Sequence, residues 1–232
     1  RLHSYLVDFG FNQKTDLDFP YEASGALKSL ENWSGVEIAT TGMGQGIDVT
    51  PIQMLSAYNI IANGGVYVSP RIIQSIEYSS GETEYIPTSA SRRVIDEQAA
   101  REMTQVLAAV VSRGTARKAG VPGYAIAAKT GTARKVQPNG TYEDEDGFYH
   151  YASTVVGYFP ASSPELSMIV IIDEPTDNFY ASETAAPLFG DLASWALRHY
   201  KISPSSDLVY SAIDQGDIGN LSEGESELEG AQ

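Results

Sequence analysis

Apolar residues recur with helical spacing in four segments of the chain, and this spacing predicts helices over residues 1–9, 50–63, 96–113 and 183–200. The second segment has the sequence of a helix start, with Thr50 as N-cap, Pro51 in the first turn and Gln53 placed to complete a capping box. The third segment is predicted to turn a core-facing stripe inward, formed by Ala99, Met103, Val106, Leu107 and Val110. The fourth carries its large apolar side chains at Leu188, Leu192, Trp195 and Leu197.

Three runs with strand character follow one another at residues 124–134, 153–159 and 166–173. The last run is nearly continuous in β-branched residues, so we expect helices to bury both of its faces. A short hairpin is predicted within residues 66–85, and residues 11–49 are predicted to be irregular. Helices combined with an antiparallel sheet indicate the α+β class, here an antiparallel sheet flanked by helices.

Composition and charge exclude several classes of protein. The chain has 232 residues, of which 42% are hydrophobic, enough to form a packed core. It carries 30 acidic against 15 basic residues, and this net charge of −15 argues against a nucleic-acid partner. Cysteine is absent, which excludes disulfide scaffolds and thiol catalysis.

The acidic residues are concentrated towards one end of the chain. Residues 207–232 hold seven of them and no lysine or arginine, a composition typical of a solvated tail. We therefore divide the chain into a folded part, residues 1–203, and an acidic Ser/Glu/Gly-rich tail, residues 204–232. Arg1 already lies within a helical pattern, so the sequence is expected to be a piece of a longer protein.

The strongest candidate for chemistry is the run Lys129-Thr130-Gly131-Thr132 on a predicted strand. A glycine inside a strand often marks a close approach of a ligand to the backbone. The lysine and two hydroxyls beside it supply one cation and two neutral donors, which suit a substrate carboxylate and a developing oxyanion. The alternative is an ordinary edge strand, because three-residue motifs occur frequently by chance.

Further segments place this motif in a recognisable order. Together they resemble the C-terminal part of the transpeptidase domain of a class B penicillin-binding protein, the monofunctional D,D-transpeptidase of peptidoglycan synthesis. The glycine-rich run that precedes Thr50 is more specific than Lys-Thr-Gly itself. The matching segments are residues 9–11, 41–55, 61–65, 114–116, 128–133, 156–160 and 185–189.

The resemblance implies a penicillin-binding/serine β-lactamase-like fold and a role for each residue of the motif. Lys129 would stand near the catalytic serine and raise the positive potential there. The hydroxyls of Thr130 and Thr132 would hold the carboxylate of a peptide or β-lactam, and the N–H of Thr132 would be an oxyanion donor. Gly131 would keep this wall of the cleft bare, and we expect the strand to line the largest cleft of the molecule.

Two motifs of the family are missing from the sequence. No serine has a lysine three residues later, and no Ser-x-Asn is present. Because a serine needs an adjacent base to become nucleophilic, these residues alone are not expected to perform acyl transfer. The resemblance therefore leaves open an enzyme whose serine lies upstream, a non-catalytic penicillin-recognising or scaffold domain, and a β-lactamase or sensor of the same fold.

The resemblance also extends to neighbouring aromatic residues and to partners. Tyr151, Phe179 and Tyr180 match positions that line the cleft in division-type relatives, although packing in a hydrophobic core is an equal alternative. The implied partners are peptidoglycan stem peptides, β-lactam antibiotics and proteins of cell-wall synthesis or division. The implied location is the outer face of the bacterial cytoplasmic membrane, and no cofactor is implied.

The remaining candidates for a metal site are weak. The acidic run at residues 143–146 lacks the spacing of a calcium loop, so a solvated loop is the better interpretation. His3, His150 and His199 are interpreted as surface residues, and no metal is expected.

Overall fold

The computed structural model describes residues 1–17, 19–87 and 91–204. Within these ranges the longer helices begin and end where the local sequence signals predict. The helices are α1 (Leu2–Asp8), α2 (Gly35–Gly42), α3 (Pro51–Ala62), α4 (Glu97–Arg113) and α5 (Ala185–His199). Short 3₁₀ turns occupy Leu30–Asn32 and Arg117–Ala119.

The strands form one main sheet and three small pairs. The strands are β1 (Ala26–Leu27), β2 (Ile47–Asp48), β3 (Val66–Tyr67), β4 (Ser75–Glu77), β5 (Thr83–Tyr85), β6 (Arg92–Arg93), β7 (Ala127–Arg134), β8 (Tyr151–Phe159) and β9 (Leu166–Asp173). In the main sheet the order is β7-β8-β9, and both pairings are antiparallel. The small pairs are β1 with β2, β3 with β6, and β4 with β5.

Helices cover both faces of the main sheet and form its core. On one face, Phe189 and Leu197 of α5 are fully buried with Val155 of β8. On the other face, Leu107 of α4 packs with Tyr158. Burying each such large side chain contributes about 1.5–3 kcal/mol, so these two clusters account for much of the stability of the sheet.

The predicted α+β architecture is confirmed, and so is the start of the second helix. The Thr50 hydroxyl accepts from the N–H of Gln53 at 3.2 Å, while the Gln53 side chain accepts from the N–H of Thr50 at 2.8 Å. Both halves of the capping box are therefore present. The predicted hairpin corresponds to β4 and β5, with Gly81 in its turn.

Three expectations from the sequence are wrong. The stretch 11–49 contains a capped helix, α2, whose capping box joins Ser34 and Glu37. The helices do not bury both faces of β9, because it is the outer strand of the described sheet and Ile171 is 44% exposed. The stripe predicted for α4 is rotated: Met103 and Val106 are exposed, whereas the buried positions are Ala100, Leu107, Ala108 and Val111.

In α5, most of the large apolar side chains do not face the core. Leu197 is fully buried, but Leu188, Leu192 and Trp195 lie on the exposed side of the helix. Small residues, including Gly190, face the core because a side chain at that position would meet the carbonyl oxygen of Lys118 at 2.7 Å.

The predicted acidic tail lies outside the described residues, apart from Pro204. None of the helices in the described ranges is long and apolar enough to cross a lipid bilayer.

Candidate active site

The Lys-Thr-Gly-Thr run lies on β7, at an edge where no other strand of the described residues pairs. A hydrogen bond at the end of the β7–β8 pair shows which main-chain groups of β7 face this outer edge. The N–H of Lys135 donates to the carbonyl of His150 at 2.8 Å, in register with the β7–β8 pairing. Because residues of an antiparallel strand alternate in direction, the N–H and C=O groups of Thr130 and Thr132 point away from β8, towards the outer edge.

Helix α4 packs beside the first part of β7, and the Lys-Thr-Gly-Thr run begins at the point where this packing ends. Ala127 and Ala128 are completely buried, whereas Lys129, Gly131 and Thr132 are exposed. The four residues therefore lie at the solvent-facing half of a strand whose other half is fixed in the core.

The side chains of Lys129 and Thr130 are held by short contacts. Lys129 Nζ donates to the main-chain oxygen of Thr130 at 2.8 Å. The hydroxyl of Thr130 lies 2.8 Å from that of Thr115, which follows the end of α4. Thr115 lies within a segment that carries the family resemblance, but sequence reasoning assigned it no role.

Thr132 and its neighbour across the sheet, Ser153, both bind the segment before α5. The N–H of Ala181 donates to Thr132 Oγ1 at 3.1 Å. The fully buried Ser153 donates its hydroxyl to the carbonyl of Phe179. These two bonds fix the 179–181 segment against the end of β7 and the adjoining residue of β8. The sequence pointed to Phe179 as a cleft residue, but not to Ser153 as the residue that holds it.

The three predicted aromatic residues meet at this end of the sheet. The rings of Tyr151 and Phe179 are stacked, with centroids 4.2 Å apart, and the ring of Tyr180 lies 4.5 Å from that of Phe179. Tyr180 is 55% exposed, while Tyr151 and Phe179 are half-buried. The structure thus brings them together near Thr132 as an exposed-to-buried stack, an arrangement compatible with a cleft wall.

Gly131 is not required by the packing of the chain. A Cβ at this position would meet, among the described residues, only the Cβ of Thr154 at 4.0 Å, an ordinary contact. At Gly157 on β8, by contrast, a Cβ would lie 2.3 Å from the main-chain oxygen of Ala127. The fold therefore accounts for the glycine at 157 but leaves the one at 131 to be explained by what approaches from outside.

A charged network anchors the long polar loop that joins β7 to β8. Lys135 Nζ lies 2.8 Å from Asp173 and 2.6 Å from Glu174, at the end of β9. His150 binds Asp144 at 2.8 Å through Nε2 and Glu174 at 3.3 Å through Nδ1. His150 lies at the surface, as expected, with 32% of its side chain exposed, and its ring also connects the loop to the sheet.

These contacts shift the protonation of the groups involved. The hydrogen bond to Asp144 raises the pKa of His150, and the same bond lowers the pKa of Asp144. Hydrogen bonds to Asp173 and Glu174 raise the pKa of Lys135, and the bond to Lys135 lowers the pKa of Glu174. Across the described ranges, no group of three acidic or histidine residues is arranged to hold a metal ion.

Among the described residues, two clefts lie near the main sheet without contribution from β7. One, of about 300 Å³, lies between α3, α4 and the turn after β8. The other, of about 490 Å³, opens beside Thr115 and is lined by Arg117, Lys118, Ser182 and Glu183. The expectation that the Lys129 strand lines the largest cleft of the molecule stays a prediction, and Thr115 connects the second of these clefts to Thr130.

Comparison with known proteins places this geometry in a family. Residues 1–194 match the model of the penicillin-binding protein transpeptidase domain. The chain is 36% identical over 217 residues to penicillin-binding protein PbpB of Mycobacterium tuberculosis, covering 89% of this chain and 31% of the relative. It is 33% identical over 224 residues to the peptidoglycan D,D-transpeptidase FtsI of Escherichia coli K12, covering 92% of this chain and 36% of the relative.

Solved structures give the same result for the fold. Penicillin-binding protein 3 from M. tuberculosis, complexed with aztreonam, superposes with a TM-score of 0.81 at 35% identity, covering 89% of this chain and 47% of that one. The transpeptidase domain of penicillin-binding protein 3 from Burkholderia pseudomallei superposes with a TM-score of 0.74 at 29% identity, covering 88% of this chain and 59% of that one. The chain spans about a third of the length of the curated relatives it matches.

Proposed function

The chain belongs to the penicillin-binding protein transpeptidase family, and we propose that it is part of a serine D,D-transpeptidase that cross-links peptidoglycan stem peptides and is acylated by β-lactams. The observation that carries this proposal is the open outer edge of β7, where Lys129, Thr130, Gly131 and Thr132 stand together. An exposed strand edge of this kind accepts an extended peptide through main-chain hydrogen bonds.

In the proposed reaction, a serine hydroxyl attacks the carbonyl carbon of a D-alanyl-D-alanine bond. The carbonyl oxygen becomes an oxyanion, which the outward N–H of Thr132 stabilises as one of two donors. Collapse of this intermediate breaks the C–N bond, releases D-alanine with a proton on its amine, and leaves an acyl ester on the serine. An amine of a second stem peptide then attacks the ester carbonyl, the C–O bond to the serine breaks, and a proton from the attacking amine passes to the serine oxygen, which completes the cross-link and regenerates the hydroxyl.

Each residue of the Lys-Thr-Gly-Thr run has its own role in this reaction. The hydroxyls of Thr130 and Thr132 hold the terminal carboxylate of the peptide or the carboxylate of a β-lactam. The ammonium of Lys129 raises the positive potential around the nucleophile. Gly131 leaves space for the acyl chain to lie against the strand, which agrees with the absence of any internal need for glycine there.

We propose that the nucleophilic serine lies upstream of Arg1 in the polypeptide. Two observations support this: no Ser-x-x-Lys occurs in the 232 residues, and the chain matches only about a third of the length of its curated relatives. The aromatic stack of Tyr151, Phe179 and Tyr180 then forms the wall beside the acyl group.

The proposal extends to a cellular role. The enzyme is of the cell-division type, and its partners are proteins of cell-wall synthesis or division. This assignment is supported by the sequence Gly-Ile-Asp-Val-Thr-Pro at residues 46–51 and by the neighbouring pair Phe179 and Tyr180. The site of action would be the outer face of the bacterial cytoplasmic membrane.

Labelling with a fluorescent penicillin tests the proposal. The full-length polypeptide that contains this sequence is incubated with the probe, denatured and separated by electrophoresis, with a sample pretreated with unlabelled penicillin as control. We expect a covalent, competable label on one serine outside residues 1–232. Binding that is lost on denaturation would instead identify a non-catalytic penicillin-recognising domain, and an unlabelled, correctly folded protein would contradict both.

A further inference from the structure

The cleft beside Thr115 carries positive charge in a chain that is strongly acidic overall. Its lining includes Arg117 and Lys118, together with one acidic residue, Glu183. Lys118 forms an ion pair with Glu183, so the charges of these two side chains balance each other. Within the described residues, no carboxylate lies within ion-pair distance of the guanidinium of Arg117.

This cleft adjoins the proposed carboxylate site through a direct contact. Thr115 lines the cleft, and its hydroxyl lies 2.8 Å from the hydroxyl of Thr130. A ligand group held at Thr130 therefore stands at the border of a space of about 490 Å³ whose wall contains Arg117.

The hydroxyls of the site do not by themselves balance the charge of a carboxylate. Thr130 and Thr132 contribute neutral donors, and the ammonium of Lys129 donates to the main-chain oxygen of Thr130 at 2.8 Å. A carboxylate that leaves water for a protein surface is stabilised best by a charged donor. Arginine is the residue best suited to this, because its planar guanidinium can bind both carboxylate oxygens.

We propose that Arg117 is a further substrate-binding residue, which contacts the carboxylate of a peptide or β-lactam held at Thr130 and makes the site selective for anionic ligands. This inference rests on the proposed function, since it assumes a ligand at the outer edge of β7. It adds a cation that lies outside the Lys-Thr-Gly motif, on the 3₁₀ turn Arg117–Ala119.

Acylation by two matched ligands tests this role in the full-length polypeptide. Benzylpenicillin carries the carboxylate, and its methyl ester has the same reactive ring without that charge. The second-order acylation rate constant is measured for both ligands with the unmodified protein, Arg117→Gln and Arg117→Lys. Arg113→Gln is the matched control, because this exposed arginine precedes the cleft and does not line it.

We expect Arg117→Gln to slow acylation by benzylpenicillin about tenfold, the effect of losing one hydrogen bond to a charged group. Acylation by the methyl ester should change less than about twofold, since the ester offers no charge to pair. Arg117→Lys should recover part of the rate with benzylpenicillin, and Arg113→Gln should match the unmodified protein with both ligands.

Other outcomes separate the failure of this inference from the failure of the proposed function. An equal loss with both ligands would assign Arg117 a structural role, and no loss with either would exclude the contact; each result overturns the inference while leaving the transpeptidase assignment standing. If the folded, unmodified protein is acylated by neither ligand, the proposed function itself is wrong, and the inference fails with it.

Discussion

The main-chain N–H of Ala181 donates to the hydroxyl oxygen of Thr132 at 3.1 Å, and this bond joins the segment before α5 to the strand of the proposed site. Ala181 is buried, with 1% of its surface exposed, so its N–H has no access to water in place of this partner. The hydroxyl of Thr132 therefore accepts a structural hydrogen bond while its own proton remains available to a ligand.

This relationship predicts different effects for two substitutions of Thr132. Thr132→Val keeps the shape of the side chain but leaves the N–H of Ala181 without an acceptor, so the free energy of unfolding should fall by about 1–3 kcal/mol. Acylation by penicillin should also slow, because the donor to the carboxylate is lost. Thr132→Ser should retain both properties. Urea unfolding and labelling kinetics measure the two effects, and identical behaviour of the valine and serine variants would contradict the proposed role.

Lys129→Ala should affect the reaction without affecting the fold. Because the side chain is exposed, the free energy of unfolding should change by less than about 0.5 kcal/mol. The acylation rate constant of the full-length protein should fall about 100-fold, the scale seen when one electrostatic group of an active site is removed. Lys14→Ala, which removes another exposed lysine, is the control. Unchanged labelling of Lys129→Ala would remove this residue from the site.

Substitution by alanine should affect acylation at Gly131 and stability at Gly157. Gly131→Ala places its methyl group in ordinary contact with Thr154, so stability should be unchanged while acylation slows about tenfold or more, because the acyl chain is displaced. Gly157→Ala forces a methyl group against the backbone of β7 and should destabilise the protein by about 1–3 kcal/mol or more. Thermal unfolding with labelling kinetics distinguishes the two, and normal acylation of Gly131→Ala would contradict the close approach of a ligand.

The His150 network predicts a pH-dependent stability. The folded-state pKa of His150 is raised, so protonated His150 stabilises the fold. This contribution to the free energy of unfolding is complete below the unfolded pKa of about 6.5 and is lost as pH rises through the folded-state value. The pKa of Asp144 is lowered, so its contribution is present above the unfolded value and is lost as pH falls through the folded one. Urea midpoints should therefore decrease on the alkaline side of about pH 6.5.

His150→Gln provides the control for this effect. Glutamine can still hydrogen-bond Asp144 or Glu174 but does not titrate, so the slope on the alkaline side should disappear. The acidic slope should become smaller without vanishing, because Asp144 loses the bond from the imidazole but keeps those from the N–H groups of Asp146 and Phe148. An equal slope in the variant and the unmodified protein would show that another group is responsible.

Helix α5 offers a test of which face carries the core. Leu197→Ala should destabilise the protein by about 2–5 kcal/mol, because Leu197 is fully buried against the sheet. Leu192→Ala makes the same chemical change on the exposed side, where 41% of the residue's surface is accessible, and should cost less than about 1 kcal/mol. Equal losses of stability in chemical denaturation would contradict the orientation of the helix.

Local sequence was a reliable guide to where the longer helices begin and end. Thr50 with Gln53, and Asp96 with the N–H of Ala99 at 2.7 Å, cap their helices as the spacing of polar residues predicts. A cap depends on atoms within one turn of the chain, so the information lies in neighbouring residues. The same type of signal at Ser34 and Glu37 was present in the sequence and was missed.

The buried face of a helix, by contrast, depends on what packs against it. In α5 the contact with the sheet and with the turn at Arg117–Ala119 is so close that alanine and Gly190 occupy it, while Trp195 remains exposed. The periodicity and size of the residues in α5 do not reveal how closely the helix approaches the sheet and this turn. That separation is set by the packing of elements that lie far away in the chain.

The same division applies to the candidate site. The sequence by itself determined the motif of Lys129 to Thr132, its strand and the family that the chain belongs to, because these follow from short runs of residues in a particular order. Only the tertiary structure decided that Thr115 meets Thr130, that Ala181 binds Thr132, and that Arg117 stands in the adjoining cleft. The physical reason is that these contacts join residues from different elements, and the packing of α4 and α5 on the sheet brings them within hydrogen-bonding distance or to the same cleft.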